Sequence, residues 1–126
     1  MNYKITFIGL LFICLTSCWQ TKSDRTQFGI EYAKSELKEA LSNKREKQIL
    51  VDTVITDKET ATIVAETILF KIYGKDNITK QRPYEINHID NYWVLNGTLP
   101  KNMLGGTFLI IINSTNGQIV KLTHGK

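Results

Sequence analysis

The chain has 126 residues, a formal net charge of +4 and two cysteines. Its basic residues are spread along the sequence, and the densest cluster, Lys44-Arg45-Glu46-Lys47, is interrupted by an acid. A nucleic-acid-binding protein needs a contiguous basic face with interleaved aromatic residues. We therefore predict no nucleic-acid partner and interpret these charges as a solvated surface.

An apolar segment at residues 5–15 follows a single basic residue, Lys4. It is shorter than the roughly 20 apolar residues that a membrane-spanning helix needs, and this layout is typical of a secretory signal peptide. The segment ends in Leu15-Thr16-Ser17-Cys18, which resembles the lipobox of bacterial lipoproteins. The resemblance implies cleavage before Cys18 and lipidation of Cys18. The alternative is an ordinary leader with a cysteine near its cleavage site.

The two cysteines support a lipid-anchored protein. Cys14 would be removed with the leader and Cys18 would carry the lipid, so the folded part would contain no thiol. We expect no disulfide framework, metal cluster or cysteine nucleophile, and we expect no cofactor. Two or more acyl chains make a stable anchor. The predicted location is therefore the bacterial cell envelope, facing the periplasm or the exterior, and Trp19 mildly favours the outer membrane.

The sequence predicts four segments. They are a lipoprotein signal peptide at residues 1–17, a polar tether at 18–27, a helical extension at 28–54 and a compact domain at 55–126. In the extension, apolar residues at helical spacing predict a helix from Phe28 to about Lys47. This stripe consists of Ile30, Ala33, Leu37, Ala40 and Leu41. The run Ile49 to Val51 is interpreted as a small strand or a packing segment.

The compact domain opens with a strongly amphipathic helix. Thr56 and Glu59 fit a capping box, in which each side chain accepts a hydrogen bond from a backbone amide at the helix start. Gly74 provides the stop, so the helix is predicted from Thr56 to Tyr73. Its apolar face is predicted to contain Ala61, Val64, Ala65, Ile68, Leu69 and Ile72, with Ile63 and Phe70 at the flanks.

Four strands are predicted after the helix, at residues 83–89, 92–99, 107–113 and 118–123. The alternation in the first strand places Tyr84, Ile86 and His88 on one face. The third strand is apolar on both faces, which indicates a central strand that is covered on each side or buried at an interface. One long helix followed by an antiparallel meander predicts an α+β fold.

Burial of the helix stripe predicts the arrangement of the sheet. A curved antiparallel sheet that wraps the long helix is a cystatin-like or nuclear-transport-factor-2-like (NTF2-like) half-cone. The side chains expected to cover the helix are Ile86, Val94, Phe108, Ile110, Ile112 and Val120 or their neighbours.

Residues 55–126 resemble the NTF2-fold immunity proteins. The resemblance is carried by the order and spacing of Thr56 to Ala61, Ile72 to Lys75, Arg82 to Tyr84, Trp93 to Pro100, Leu104 to Gly106 and His124 to Lys126. It implies a non-catalytic inhibitor that binds a cognate polymorphic or contact-delivered toxin, without a small-molecule substrate. The lipobox departs from the many family members that act on cytosolic toxins.

Candidate partner contacts come from exposed aromatics and from one loop. Tyr92 and Trp93 lie in one predicted hairpin, and such residues are favoured at interface hot spots; the alternative for Trp93 is a place in the core. The loop residues Lys101, Asn102 and Met103 are the second candidates, since loops held by a rigid sheet commonly carry recognition.

Catalytic candidates are weak. His88 with Asp90, or His124, could act as an acid and base in a half-cone enzyme, but a lone histidine more often has a structural role, and the sequence contains no catalytic motif. We predict that the protein is not an enzyme. Two alternatives to the immunity function stay open, a PepSY-like periplasmic inhibitory or binding lipoprotein and, with less support, a small half-cone enzyme.

Overall fold

The computed structural model describes residues 25–42 and 48–125. By its internal contacts the chain divides into two units, residues 1–44 and 45–126. The described residues form three helices and four strands. These are α1 (Gly29–Ser42), α2 (Lys58–Tyr73), α3 (Lys75–Thr79), β1 (Glu85–Ile89), β2 (Tyr92–Asn96), β3 (Phe108–Asn113) and β4 (Ile119–His124).

In the first unit, α1 has no buried residue. Its predicted apolar stripe is exposed, with Ile30, Leu37 and Leu41 at 67%, 60% and 71% exposure. The predicted extension of this helix to Lys47 and the lipidation of Cys18 fall outside the described residues. Within the described ranges, no helix has the length and apolar character needed to cross a membrane.

In the second unit, the N-cap of α2 lies one residue later than the predicted cap at Thr56. The N-cap is Asp57, whose carboxylate accepts hydrogen bonds from the backbone amide and the hydroxyl of Thr60, both at 2.8 Å. Thr56 donates its own hydroxyl to Asp57 at 3.1 Å. An aspartate makes the better cap here because its two oxygens can accept several donors at once. The capping box predicted for Thr56 and Glu59 is therefore wrong.

The buried face of α2 is narrower than the predicted face. Ala61, Ala65 and Leu69 are buried, whereas Ile72 is 54% exposed. Ile72 shares the angular position of the buried residues around the helix axis, yet it is exposed. In the last turn, Phe70 and Tyr73 pack against the core instead. Gly74 ends the helix as predicted, and its amide donates to the Phe70 carbonyl.

The four strands form one antiparallel sheet in the order β1-β2-β3-β4. The sheet is curled and does not close, which confirms the predicted α+β, NTF2-like architecture. Paired positions Ile86, Leu95, Ile110 and Leu122 run across all four strands on the face that meets α2. The buried core consists of Ile55, Ala61, Ala65, Leu69, Ile78, Trp93, Leu95, Phe108, Ile110 and Ile112.

Two predicted core residues lie elsewhere. Val94 alternates with the buried Trp93 and Leu95, so it belongs to the opposite face of the sheet. In β4, a register shift between Ile111 and Ile112 makes Val120 an extra residue, which is 57% exposed. Beyond this shift, Leu122 takes the core-facing position opposite Ile110.

The segment before α2 is fixed to the ends of two hairpins. Ser114 accepts hydrogen bonds from the Val54 and Ile55 amides, each at 2.9 Å, and it donates its own amide to the Asn91 carbonyl at 2.8 Å. Ile55 is buried. The small strand predicted at 49–51 does not form, and Leu50 is 87% exposed.

Candidate functional site

One face of the sheet points away from α2, and we call it the outer face. Its residues alternate with the buried ones and share cross-strand pairs, such as Val94 with Asn87 and Ile111. The outer face consists of Glu85, Asn87, Ile89, Tyr92, Val94, Asn96, Leu109, Ile111, Asn113, Lys121 and Thr123.

The centre of the outer face is apolar. Val94, Leu109 and Ile111 are half-buried by their neighbours in the sheet, and none of them packs against the core. At one end of the face, Ile89 is 57% and Tyr92 39% exposed. These five side chains therefore offer a continuous apolar area on rigid, hydrogen-bonded strands.

Polar side chains surround this apolar centre. Asn96 donates to the Glu85 carboxylate at 2.9 Å across the β1–β2 pair. Asn87, Lys121 and Thr123 are exposed on the same face. An apolar centre with a polar rim is the usual anatomy of a protein–protein interface.

The structure separates the two predicted aromatic contacts. Trp93 is buried, and its indole nitrogen donates to the Ile55 carbonyl at 2.9 Å. Its side chain is therefore part of the core, which was the alternative considered for it. Tyr92 points to the outer face and is the residue of this pair that is available for contact.

The predicted loop contacts lie at the opposite end of β2 from Tyr92. Lys101, Asn102 and Met103 are exposed, and a turn is closed by the Met103 amide donating to Pro100. The next residue, Leu104, is fully exposed. Because β2 has a length of about 13 Å, Tyr92 and this loop belong to two separate patches and not to one.

The histidine and acid considered for catalysis are both exposed at the β1–β2 hairpin. His88 lies against the Trp93 ring, with ring centroids 4.5 Å apart. Asp90 occupies the turn with a positive φ of 51°. Neither side chain is buried, so the hairpin does not provide the enclosed acid–base pair that the enzyme hypothesis requires.

His124 instead belongs to a polar network around the buried Gln81. The Gln81 amide oxygen accepts from the Phe108 amide at 2.9 Å, so its nitrogen is the donor toward Asn77 O and His124 Nε2, at 3.2 and 3.0 Å. His124 Nε2 then accepts, and Nδ1 donates to the Gly125 carbonyl at 2.7 Å. This network joins the chain after α3 to β3 and β4, which is a structural role.

Two glycines in the segments that carry the family resemblance lie where neighbouring atoms leave no room for a side chain. A Cβ atom on Gly97 would overlap the Gln81 side chain, and a Cβ atom on Gly106 would overlap the backbone of Gly125. The Gly125 amide donates to the Thr107 carbonyl beside this crossing. The structure thus explains Gly106 by the close approach of the Gly125 backbone.

A charged cluster joins α2 to the start of β1. Arg82 donates to Glu66 through Nε at 3.0 Å and through a second guanidinium nitrogen, while the Tyr84 hydroxyl donates to the same carboxylate oxygen at 2.9 Å. The hydrogen bond to Glu66 raises the pKa of Arg82. Partial burial raises the pKa of the Tyr84 phenol. The Arg82-Pro83-Tyr84 motif therefore anchors the sheet to the helix.

The remaining features do not provide a chemical site. The described residues contain no group of three or more His, Cys, Asp and Glu side chains that could hold a metal ion. An open cleft of ≈ 330 Å³ lies beside the β3–β4 turn, lined by Gln48, Ile49, Val51, Asp52, Thr115 and Asn116. Asp52 is the one titratable side chain in this lining, so the cleft does not pair an acid with a base.

The fold and the interface-like outer face agree with the comparison to known protein families. The model of a family described as NTF2 fold immunity protein matches residues 60–126, more than half of the chain. The chain therefore belongs to the NTF2-fold immunity protein family.

Two relatives come from Escherichia coli strain K12. The chain is 34% identical to the uncharacterized protein YhhH over 77 residues, which cover 60% of this chain and 61% of YhhH. It is 31% identical to the uncharacterized protein YbbC over an alignment of 128 residues, which covers 100% of this chain and 100% of YbbC. No solved structure matches the chain.

Apart from Tyr92, the residues of the apolar area on the outer face were not predicted as contacts. The signal that could have identified them was the third strand, whose residues are apolar on both faces. The structure gives β3 a strict alternation of buried and half-buried side chains. Leu109 and Ile111 therefore occupy the second apolar face, which the sequence assigned either to a covering layer or to an interface.

Proposed function

We propose that the protein is a lipid-anchored immunity protein that binds a cognate bacterial toxin and blocks it without catalysis. The observation that carries this proposal is the match of residues 60–126 to the NTF2 fold immunity protein family. Immunity of this kind requires a binding surface and no reactive group.

The outer face is the proposed toxin-binding surface. Its centre presents Val94, Leu109 and Ile111 on the two middle strands, next to Tyr92 and Ile89. Tyrosine is enriched among interface hot spots because it combines a large contact area with a hydrogen-bonding hydroxyl. Since β2 and β3 are paired on both sides, this surface is held rigid and loses little conformational freedom on binding.

The patch at Lys101, Asn102 and Met103 is a second, smaller contact. Its exposed Met103, together with the adjacent exposed Leu104, can insert into an apolar depression of the partner. Because this patch lies at the far end of β2, it contacts a different part of the toxin from Tyr92. Loss of its contacts should weaken binding less than loss of the outer-face centre.

The lipid anchor at Cys18 is proposed on the residues Leu15-Thr16-Ser17-Cys18. It would hold the domain in the cell envelope, on the periplasmic or exterior side of a bacterial membrane. Toxin would then be intercepted at the membrane. Metabolic labelling with palmitate tests this part, and Cys18→Ser should abolish the label and release the protein from the membrane fraction. Label that persists in Cys18→Ser would contradict the anchor.

Co-expression tests the immunity function. The full chain is produced together with the product of the neighbouring open reading frame, and survival and co-purification are measured. Wild type should protect the cells, Tyr92→Ala should lower protection, and Tyr32→Ala should protect like wild type. Tyr32 is the matched control because it is an exposed tyrosine that lies outside the outer face. A neighbouring product that is harmless and does not co-purify would contradict the proposal.

A further inference from the structure

α1 has an apolar stripe along its length. Successive helical residues are about 100° apart around the axis, so Ile30, Leu37 and Leu41 fall within about 40° of one another. All three are more than half exposed. An isolated helix of this length is marginally stable in water, and burial of the stripe would stabilise it.

The charges of α1 are distributed unequally around this stripe. Lys34 and Lys38 follow its edge, and with Leu37, Leu41 and Ser42 they line a shallow groove of ≈ 460 Å³. On the same helical projection, Glu31, Glu36 and Glu39 lie about 100°, 120° and 180° from the centre of the stripe. One side of the helix is therefore apolar with lysines along one border, and the glutamates lie outside the stripe, with Glu31 beside Lys34.

The cationic border is available for a new partner. Lys34 Nζ lies 2.8 Å from Glu31 Oε1, but the two side chains are 65% and 82% exposed. Such exposed pairs contribute little and can be exchanged for another anion. A lysine can also lay its methylene chain along an apolar surface while its ammonium group stays in water.

We propose that α1 lies on the surface of an anionic membrane, with Ile30, Leu37 and Leu41 among the acyl chains and with Lys34 and Lys38 at the headgroup phosphates. The inference rests on the proposed lipid anchor. Gly29 follows Cys18 by 11 positions, which span at most about 40 Å. The anchor therefore keeps α1 at a high local concentration beside the bilayer.

A second copy of α1 is a poorer partner than the membrane. At heptad spacing the seam would consist of Ile30, Ala33, Leu37 and Ala40, and the two alanines would bury little surface. The helix covers only two heptads, too few for a stable pair on that seam. A membrane surface instead needs no more than the narrow stripe and its border of lysines.

Site-specific fluorescence on the lipidated full-length protein tests the proposal. The environment-sensitive dye NBD is attached to Leu37→Cys, on the stripe, and to Glu39→Cys, on the opposite side of α1. Each protein is placed in vesicles of phosphatidylethanolamine with phosphatidylglycerol, with and without bromine-labelled lipid as a quencher. Wild type is the labelling control, because it takes up dye only if Cys18 is not lipidated or the leader with Cys14 is not removed. Dye on the wild-type protein would show that the lipid anchor is missing. This outcome is distinct from failure of α1 to bind the membrane.

The expected result is a blue-shifted dye at position 37 that the labelled lipid quenches several-fold more than the dye at position 39. The double variant K34E/K38E should reduce this quenching at position 37. Equal quenching at both positions, with an unlabelled wild type, would overturn the proposal. Shielding of position 37 that rises with protein density and is insensitive to the labelled lipid would assign the stripe to a second copy and would also overturn it.

Discussion

The inner and outer faces of the sheet carry similar side chains in different surroundings. On the inner face, Ile110 and Ile112 are fully buried under α2. On the outer face, the intervening Ile111 is half-buried within the sheet and does not pack against the core. The same strand therefore contributes isoleucines to stability on one side and to an available surface on the other.

This difference indicates which apolar residues the fold requires. A core isoleucine is held by close packing, and its loss leaves a cavity. An isoleucine on the outer face contributes little to the core, so stability alone does not explain three apolar side chains at its centre. Binding of a partner does explain them, and the two faces can be tested with matched substitutions.

The largest loss of stability is expected at the inner face. Ile110→Thr removes buried methylene surface and buries a hydroxyl, which should lower the free energy of unfolding by about 2 to 5 kcal/mol. Ile111→Thr, the matched change on the outer face, should cost less than about 1 kcal/mol because it keeps the β-branch and stays near solvent. Denaturant unfolding followed by Trp fluorescence measures both. Equal losses would show that the outer face is part of the core.

A smaller loss of stability is expected at Gln81, one of the two buried polar residues in the described part of the chain. Gln81→Leu removes the acceptor for the Phe108 amide and the donor for His124 Nε2. Leaving the buried Phe108 amide without an acceptor should cost about 1 to 3 kcal/mol. The exposed Gln118→Leu is the control and should change the unfolding midpoint little. A Gln81→Leu protein as stable as wild type would mean that the network does not stabilise the junction.

The smallest loss of stability is expected at Asp57, the N-cap of α2. Hydrogen bonds from Thr60 hold the pKa of Asp57 below its ordinary value of 3.8. A lowered folded-state pKa gives a stabilisation that is complete above the unfolded-state pKa and is lost as pH falls through the folded-state value. Asp57→Ala should therefore be less stable than wild type at neutral pH, and the difference should narrow below about pH 4. Thermal unfolding of both proteins from neutral pH to below about pH 4 measures this difference. A stability difference that widens as pH falls would contradict the prediction.

Much of the second unit could be predicted because its patterns are periodic. The apolar spacing from Ala61 to Leu69 identified α2, and Gly74 gave its end. Strand alternation and the short connections between the predicted strands identified the antiparallel meander. The five-residue α3 was missed because it is too short to show a helical period. Thr56 and Asp57 are both good capping residues, so sequence alone placed the cap one residue early.

The assignment of faces was harder to predict than the strands. Residues 92–95 are all aromatic or aliphatic, so the sequence did not show which alternate pair faces α2, and Val94 was assigned to the wrong side. The register shift at Val120 has no sequence signal, because it depends on pairing with β3. Tyr92 was predicted as a contact, whereas the neighbouring apolar residues of the outer face became evident from the register.

Toxin affinity tests the division between the two faces most directly. Ile111→Lys places a charge at the centre of the outer face, and Thr67→Lys places the same charge on the exposed side of α2. Loss of a hot spot of about 2 kcal/mol or more weakens binding roughly 30-fold or more. We predict this loss for Ile111→Lys in a protein that stays folded, although a lysine opposite Lys121 should lower its unfolding midpoint somewhat. We predict wild-type affinity for Thr67→Lys. Wild-type affinity of a folded Ile111→Lys protein would contradict the account.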